Sequence, residues 1–280
     1  MKSIIVCIKQ VIDPDEPPVK FRIDNYARKV IVPGARYIVS PFDQNAVEAA
    51  LRLKDRYGMK VIALSLGGSL NKNVTKFPLE LGADELILLE DDAFDDGDSW
   101  SNSLALSKAI EKISNFGLIL CGRQASDTDG GQVGSGIAEI LGIPSITAAK
   151  KIELIENMAI IDRVTADGYE VFETSLPALI TVSNELGEPR YPTIKQIMAS
   201  KRKTIITWKA SDIGVNVSKV GSAGRRSKLI KLFQPVKESK CEIINGVTSE
   251  EAGGNLALKL IENEVLSKSI NPDLGHNDIG

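Results

Sequence analysis

The chain has 280 residues, of which 43% are hydrophobic, so it is long and apolar enough to bury a sizeable core. Its formal net charge of −3 argues against a nucleic-acid or membrane-surface partner. No apolar run approaches the roughly 20 residues of a membrane span, and the apolar N-terminal run has no small-residue cleavage site behind it. We therefore expect a cytoplasmic protein with no direct membrane insertion.

Side chains that serve metal binding or acid–base catalysis are scarce. Cys7, Cys121 and Cys241 form no C-x-x-C pair, and the one histidine, His276, lies in a polar tail. The sequence therefore predicts neither a metal site nor a Ser–His–Asp triad, and it offers no candidate catalytic residue. Cys7 and Cys121 lie within apolar runs and are expected in the core.

Residues 1–145 alternate between short apolar runs and longer helical patterns. Runs that are apolar almost throughout are typical of strands covered on both faces. This order predicts an α/β fold, a Rossmann-like parallel sheet with helices on both faces. In the first helix, Ser40 is expected to be the N-cap and Pro41 to take the first position. The predicted strands are 3–8, 60–65, 85–89, 117–121 and 143–148, and the predicted helices are 41–57, 70–81, 99–115 and 131–141.

From about residue 150 the pattern changes. We expect an α/β domain over residues 1–217 and an extension over 218–280. An extension this long and polar more often wraps a partner than builds a core of its own. The predicted elements are strands at 158–164, 169–173 and 178–182, a hairpin turn at Asp167-Gly168, a short helix at 193–200, a polar connector at 218–231 and an amphipathic helix at 249–265.

Segment 121–136 follows an apolar strand and opens a helix, which makes it the strongest candidate for a phosphate-binding loop. Ligands of open α/β sheets bind at this edge, beyond the carboxyl ends of the strands. Gly130 and Gly131 would let backbone N–H groups approach an anion, and Arg123 could pair with phosphate. The alternative is a plain glycine-rich turn in which Asp129 caps the helix and Arg123 pairs with Asp127. The residue order fits neither G-x-G-x-x-G nor G-x-x-x-x-G-K-[ST].

Three further stretches converge on the same predicted edge. Leu66-Gly67-Gly68 follows the second predicted strand, and Lys9 ends the first. Asp98-Ser99 precedes a helix that either residue could cap. The acidic run around Asp98 is typical of a solvated loop and does not have the spacing of a calcium loop. Each signal is weak alone, and their agreement on one edge strengthens the prediction of an anion site.

Three blocks of sequence carry a family resemblance. They are Arg163 with Leu176-Pro177-Ala178 and Glu188-Pro189-Arg190-Tyr191-Pro192-Thr193-Ile194, then Ser40-Pro41-Phe42-Asp43, and then Gly122-Arg123-Gln124-Ala125 with Asp127, Asp129, Gln132 and Gly134. Together they resemble the β subunit of electron-transfer flavoproteins, over nearly the whole chain to about residue 205.

The resemblance implies a heterodimer with an α subunit that carries the electron-transferring FAD. In it this chain binds an adenine nucleotide and acts as an electron carrier, not as an enzyme by itself. A recognition loop at 185–203 would dock an acyl-CoA or other flavin dehydrogenase. The docking residues would be Tyr191, Pro192, Thr193, Ile194, Lys195, Ile197 and Met198, with Ile194 replacing the usual leucine. The cofactor-binding residues would be Lys9, Ser40, Leu66, Gly67, Gly68, Asp98, Ser99, Arg123, Gln124, Asp127, Asp129, Gly130, Gly131, Gln132, Val133 and Gly134.

Two nucleotides stay open for this site. AMP would have a structural role, whereas a second FAD would accept hydride from NADH and split the electron pair by flavin-based bifurcation. Small residues in the 127–134 turn leave room for a pyrophosphate and favour FAD. Asp98-Ser99 is also nearer the bifurcating pattern, whereas Gly130-Gly131 departs from it.

Two functions from other classes are the alternatives. A stand-alone ATP- or AMP-binding module of the universal-stress type would end near residue 145, so the block at 163–203 speaks against it. A nucleotide-dependent transferase or hydrolase is disfavoured because the sequence has no Walker-type loop and its histidine lies in the tail.

Overall fold

The computed structural model describes residues 2–235 and 241–265, which fall into two compact units, Met1–Leu232 and Phe233–Gly280. The strands are β1 Ser3–Ile8, β2 Gln10–Ile12, β3 Arg22–Asp24, β4 Lys29–Ile31, β5 Tyr37–Val39, β6 Val61–Gly67, β7 Glu85–Glu90, β8 Phe116–Gly122, β9 Ser145–Ile155, β10 Met158–Thr165, β11 Gly168–Ser175, β12 Ala178–Val182 and β13 Ile205–Trp208. The α-helices are α1 Pro41–Tyr57, α2 Lys72–Thr75, α3 Phe77–Leu81, α4 Ser99–Ile113, α5 Val133–Leu141, α6 Ile194–Ser200 and, in the second unit, α7 Ser249–Glu262.

A nine-stranded sheet forms the centre of the first unit, in the order β11-β10-β9-β12-β8-β1-β6-β7-β13. All neighbours from β9 to β13 are parallel, and β9, β10 and β11 form an antiparallel arm at one side. The predicted Rossmann-like α/β fold is confirmed. Because parallel strands run in one direction, their carboxyl ends share one edge of the sheet, and that edge positions the candidate site.

The central strands are buried on both faces, and alternate side chains enter two different cores. Ile4 and Val6 of β1 join the core that α1 covers, whereas Ile5 and Cys7 join the core that α4 and α5 cover. All six residues of β1 are buried. The continuous apolar runs that predicted these strands therefore reflect two covered faces.

Several predicted boundaries were wrong for identifiable reasons. The helix predicted at 70–81 is split into α2 and α3, because Pro78 lacks the N–H that a continuous helix would need and its ring disfavours the preceding turn. The helix predicted from Gly131 begins at Val133, since Gly131 has a φ of +61°. The hairpin turn lies one residue earlier than predicted, because Thr165 pairs with Gly168.

Sequence patterns missed two small sheets and one edge strand. β2 pairs with β5 and β3 pairs with β4, both antiparallel, in the stretch between β1 and α1. β13 extends the main sheet beyond β7. The first unit also continues past residue 217 to Leu232, and the Ser222 N–H donates to the Asp95 carbonyl oxygen at 2.8 Å. Within the described ranges, no helix is both long and apolar enough to cross a membrane.

A buried carboxylate on α1 holds the segment that leads to α6. The Glu48 side chain is only 5% exposed, and its oxygens accept hydrogen bonds from Arg190 Nε and from Arg52 Nε, each at 2.8 Å. Burial would raise the Glu48 pKa, but the bonds from Arg190 and Arg52 outweigh it and hold that pKa below its ordinary value. The Asn45 side chain adds a bond to the Gly187 carbonyl oxygen at 2.9 Å. The loop before α6 is therefore fixed to α1 by charge and by hydrogen bonds.

Arg190→Ala should lower the free energy of unfolding by about 3 kcal/mol, because it leaves a buried carboxylate with one of its two guanidinium partners removed. Urea unfolding followed by circular dichroism measures the change. Arg56→Ala is the matched control, since Arg56 forms a more exposed pair with Glu153 and its loss should cost less than about 1 kcal/mol. Equal effects of the two substitutions would contradict the assignment.

Candidate functional site

A cavity of about 350 Å³ lies at the carboxyl edge of the parallel sheet. Its walls come from the ends of β1, β6 and β8, from the loop that leads into α5, and from the start of α4. The predicted site residues that line it are Lys9, Leu66, Asp98, Ser99, Arg123, Gln124, Gly130, Gly131, Gln132, Val133 and Gly134. Turns that follow separate strands therefore meet around one cavity at this edge.

Five predicted residues lie near the cavity without lining it: Ser40, Gly67, Gly68, Asp127 and Asp129. Ser40 does not cap α1 with its side chain, because the Asp43 N–H already bonds to the Ser40 carbonyl oxygen at 2.9 Å. The Ser40 hydroxyl instead accepts the Ser126 N–H at 3.3 Å. Ser40 therefore supports the loop that begins at Arg123.

The two aspartates in this loop bond within the rim. Asp127 pairs with Lys9, with 2.7 Å between Nζ and the carboxylate, so the alternative pairing with Arg123 was wrong. Asp129 accepts a bond from the Gln124 amide at 2.9 Å, and the N-cap of α5 is Gln132, so the alternative in which Asp129 caps the helix was also wrong. Both carboxylates neutralise or orient neighbours at the mouth of the cavity.

Gly68 has a packing role. A Cβ at this position would lie 2.1 Å from the Asp95 Oδ1 atom, so glycine leaves the space that this carboxylate occupies. A Cβ on Gly67 would lie 2.9 Å from a methyl carbon of Leu70. This turn shapes the wall from behind, and Leu66 is its cavity-lining member.

Arg123 has unused hydrogen-bonding capacity beside the cavity. Its guanidinium lies over the Phe42 ring, 4.7 Å from the ring centroid, which fixes its plane. Its buried Nε atom and the buried Ser126 hydroxyl have no hydrogen-bond partner among the described residues. Buried polar groups normally have partners, so an unpaired donor on Arg123, which lines the cavity, fits a ligand with acceptor oxygens.

The start of α4 faces the glycine turn across the cavity. A Cβ built on Gly130 would lie 4.0 Å from the Ser99 hydroxyl oxygen. The Asp98 side chain caps α4 through the Ser101 N–H at 3.0 Å, as the sequence predicted. The first N–H groups of both α4 and α5 are thus near the cavity, and helix starts favour anions.

Asp98 also tethers a segment that the sequence analysis assigned to a polar connector. Its Oδ2 atom accepts the N–H groups of Arg226 at 2.7 Å and Ser227 at 2.9 Å. Burial raises the Asp98 pKa, but these backbone bonds and the cap bond outweigh it, so its pKa lies well below the ordinary value. Arg225 and Ser227 line the cavity in consequence, and no local pattern in the sequence pointed to them.

Asp43 is the most important lining residue that the sequence analysis did not include in the site. It is 7% exposed, and its carboxylate accepts the Lys9 N–H at 2.8 Å and the Gly122 N–H at 3.0 Å. Burial raises its pKa from 3.8 to about 7, against the lowering effect of those two bonds. Its place in the first turn of a helix that starts at the sheet edge was the available signal.

The remaining lining residues that were not predicted are mostly apolar or small. They are Cys7, Ile8, Gly97, Asn102, Leu106, Cys121, Gly122, Ala125 and Thr128. Cys7 and Cys121 are buried as expected. A hydrogen bond with Cys7, together with burial, raises the pKa of the Cys121 thiol well above its ordinary value. No group of three or more metal-ligating side chains occurs in the part of the chain that the structure describes.

The predicted docking residues form a separate exposed surface around α6. Tyr191 is 88% exposed, Ile194 83% and Met198 58%. Thr193 caps α6 in a capping box with Gln196, and the Gln196 amide bonds to the Leu81 carbonyl oxygen at 3.2 Å. Pro192 and Ile197 are half-buried, and Lys195 is exposed. Apolar side chains thus lie in solvent on a firmly held helix.

Comparisons with known proteins find relatives that match almost the whole chain. A model of the family described as "Electron transfer flavoprotein domain" matches residues 29–213. The "Caffeyl-CoA reductase-Etf complex subunit CarD" of Acetobacterium woodii is 38% identical over 94% of this chain and 99% of its own length. The "Electron transfer flavoprotein subunit beta" of Thermoanaerobacterium thermosaccharolyticum is 38% identical over 94% and 100%. The "Acryloyl-CoA reductase electron transfer subunit gamma" of Anaerotignum propionicum is 32% identical over 94% and 99%.

Asp43→Asn should change how stability depends on pH. Because the folded chain holds the Asp43 proton up to about pH 7, the stabilisation from that proton is complete below pH 3.8 and is lost as pH rises through about 7. The wild-type free energy of unfolding should therefore fall between about pH 4 and pH 7, by at most about 1.4 kcal/mol per pH unit from this group.

Urea unfolding at several pH values measures this contribution, and the Asn variant should lack it. Asp167→Asn is the matched control, because Asp167 is an exposed carboxylate in the β10–β11 turn and is not among the charges that shift the Asp43 pKa. The control should keep the wild-type pH dependence. Identical pH profiles for wild type and Asp43→Asn would refute the assignment.

Proposed function

Because this chain belongs to the electron transfer flavoprotein β-subunit family, we propose that it binds an adenine nucleotide in the 350 Å³ cavity. In this proposal it forms a heterodimer with an α subunit and carries electrons between a dehydrogenase and an acceptor. The observation that carries the nucleotide is the unpaired, buried Arg123 Nε beside two helix starts at the carboxyl edge of the sheet.

The chain's own residues would divide the work of binding. Arg123 and the first N–H groups of α4 and α5 would hold phosphate oxygens. Lys9 is partly neutralised by Asp127 and would contribute less charge. Leu66, Ile8 and Leu106 would pack against the base or ribose, because they supply the apolar part of the wall. Asp43 positions the wall itself by holding the ends of β1 and β8.

We propose FAD as the nucleotide, with AMP as the alternative. Backbone groups of the Gly130-Gly131 turn and the small side chains around it leave space for a pyrophosphate. FAD supplies redox chemistry when bound, and the protein supplies its binding and orientation. The relatives include a subunit of a complex named for caffeyl-CoA reduction, which supports a proposal that NADH-dependent bifurcation is the wider role.

A partner dehydrogenase, of the acyl-CoA or another flavin type, would dock on the exposed residues around α6. Two relatives carry the names of CoA-ester reductase systems. Exposed Tyr191, Ile194 and Met198 resemble the apolar anchors of protein interfaces. The Glu48–Arg190 contact holds this surface in a fixed relation to α1, so a partner would meet a preorganised loop.

A stand-alone nucleotide-binding module of the universal-stress type is less well supported. The sheet gains β9, β10, β11, β12 and β13 from residues beyond 144, and the family match continues to residue 213. Residues beyond such a module thus build much of the first unit.

Cofactor extraction from the purified heterodimer tests the nucleotide. Two FAD per heterodimer would indicate the bifurcating type, and one FAD with one AMP would indicate a simple carrier.

Arg123→Ala should reduce the nucleotide retained at the β site by about tenfold or more, because a charge-assisted contact is lost. Arg56→Ala removes a guanidinium at the C-terminal end of α1 and should retain full content. A colourless complex that yields no nucleotide would overturn the proposal.

Ile194→Asp should weaken binding of a purified acyl-CoA dehydrogenase from the same organism by about tenfold or more, because a charge replaces an apolar anchor. Surface plasmon resonance with the heterodimer measures the affinity. Val19→Asp is the control, since Val19 is 85% exposed and lies away from α6 in the sequence. Both variants should unfold at the wild-type urea midpoint. Unchanged affinity for Ile194→Asp would remove α6 from the docking surface.

A further inference from the structure

A second cavity, of about 500 Å³, adjoins the first. It lies between the β3–β4 hairpin and the segment 225–229, and both cavities share Gly97, Arg225 and Ser227 as wall residues. The segment 225–229 therefore forms a common wall of the two cavities.

The second cavity is strongly basic. Arg28, Lys29, Arg225 and Lys228 line it, and Asp96 is the one carboxylate among its lining residues. The chain as a whole carries a net charge of −3, so this concentration of positive charge does not follow from composition. A concave surface with an excess of cations raises the local concentration of anions.

Arg28 takes a backbone conformation that disfavours its own residue type. Its φ is +52°, a region in which glycine and asparagine are easier to accommodate. The turn is well defined, because the Asp24 side chain accepts the N–H groups of Tyr26 at 2.8 Å and Ala27 at 2.9 Å. This turn therefore holds Arg28 at a defined place beside the cavity.

Neighbouring groups position these cationic side chains without using all of their hydrogen-bond donors. The Arg28 Nη1 atom donates to the Leu229 carbonyl oxygen at 3.3 Å, and this bond uses one of the five guanidinium N–H donors. Lys29 pairs with Asp96 at 2.9 Å, but both side chains are about half exposed, so a stronger anion can compete with that pair. Asp98 and the Trp100 ring, which lies 3.4 Å below the Arg226 guanidinium carbon, fix the neighbouring backbone.

We propose that this second cavity binds the diphosphate group of a second organic phosphate, next to the nucleotide in the first cavity. Arg28 and Lys228 supply the charge-assisted contacts, and Arg225 lies between the two ligands. The anion site stands on the residues of this cavity alone. Its neighbouring nucleotide rests on the proposed function.

Inorganic pyrophosphate is the probe, titrated by calorimetry into the purified heterodimer that retains its resident nucleotide. The wild type should bind it at a site that Arg28→Gln with Lys228→Gln weakens by about tenfold or more, because two charge-assisted contacts are lost. The control double variant, Lys201→Gln with Arg202→Gln, makes the same change in net charge at exposed positions outside the cavity and should bind within about twofold of wild type.

Three outcomes would overturn the inference: no binding by the wild type, equal binding by the two double variants, or binding only after the resident nucleotide is removed. The last would mean that the cavity holds phosphates of the same nucleotide. Nucleotide extracted from each variant is a separate readout. If pyrophosphate binds normally but no resident nucleotide is extracted, the proposed function is overturned and the anion site remains. If nucleotide is extracted but pyrophosphate does not bind, the anion site alone is overturned.

Discussion

One buried carboxylate joins the three parts of the structure on which the candidate site depends. Asp43 lies in the first turn of α1 and accepts the backbone N–H groups that follow β1 and end β8. These two strands are neighbours at the centre of the sheet, and each continues into a wall of the cavity. If the ends separated, Arg123 and Lys9 would lose their fixed spacing. Two hydrogen bonds at this junction offset only part of the cost of burying the charged Asp43 carboxylate, and its pKa therefore stays raised.

The same helix connects the cavity with the surface around α6. α1 carries Asp43 at its start and Glu48 in its second turn, and Glu48 holds Arg190. Because this rigid helix lies between the two places, the loop before α6 does not move independently of the cavity. An incoming protein would meet a surface whose position relative to the cavity is set by packing of α1 on the sheet.

The sequence predicted what local patterns can encode. Continuous apolar runs identified the central strands, because burial on both faces leaves no polar alternation. The short helix predicted at 193–200 corresponds to α6, which Thr193 caps together with Gln196. Glycine turns after strands identified part of the cavity wall, since parallel strands bring those turns to one edge.

What the sequence could not predict depends on contacts between distant residues. Arg225 reaches the cavity because Asp98, which lies 128 positions before Arg226, accepts the Arg226 N–H, and no local spacing encodes that contact. The β3–β4 hairpin is short and largely exposed, so it has no apolar periodicity to detect. Ser40 occupies the N-cap position as predicted, but its side chain makes no cap bond, because the Asp43 N–H bonds to the Ser40 carbonyl oxygen.

Lys9 shows that a residue can line the cavity and still tolerate substitution. Asp43 is bonded to the Lys9 backbone, which every residue type except proline can supply. Among the residues that the structure describes, the Lys9 side chain pairs with the exposed Asp127. Position 9 can therefore change its chemistry without loosening the frame, whereas position 43 holds the frame through its side chain. During divergence within a family, such an arrangement would let the charge at the mouth drift while the architecture beneath it stays constant.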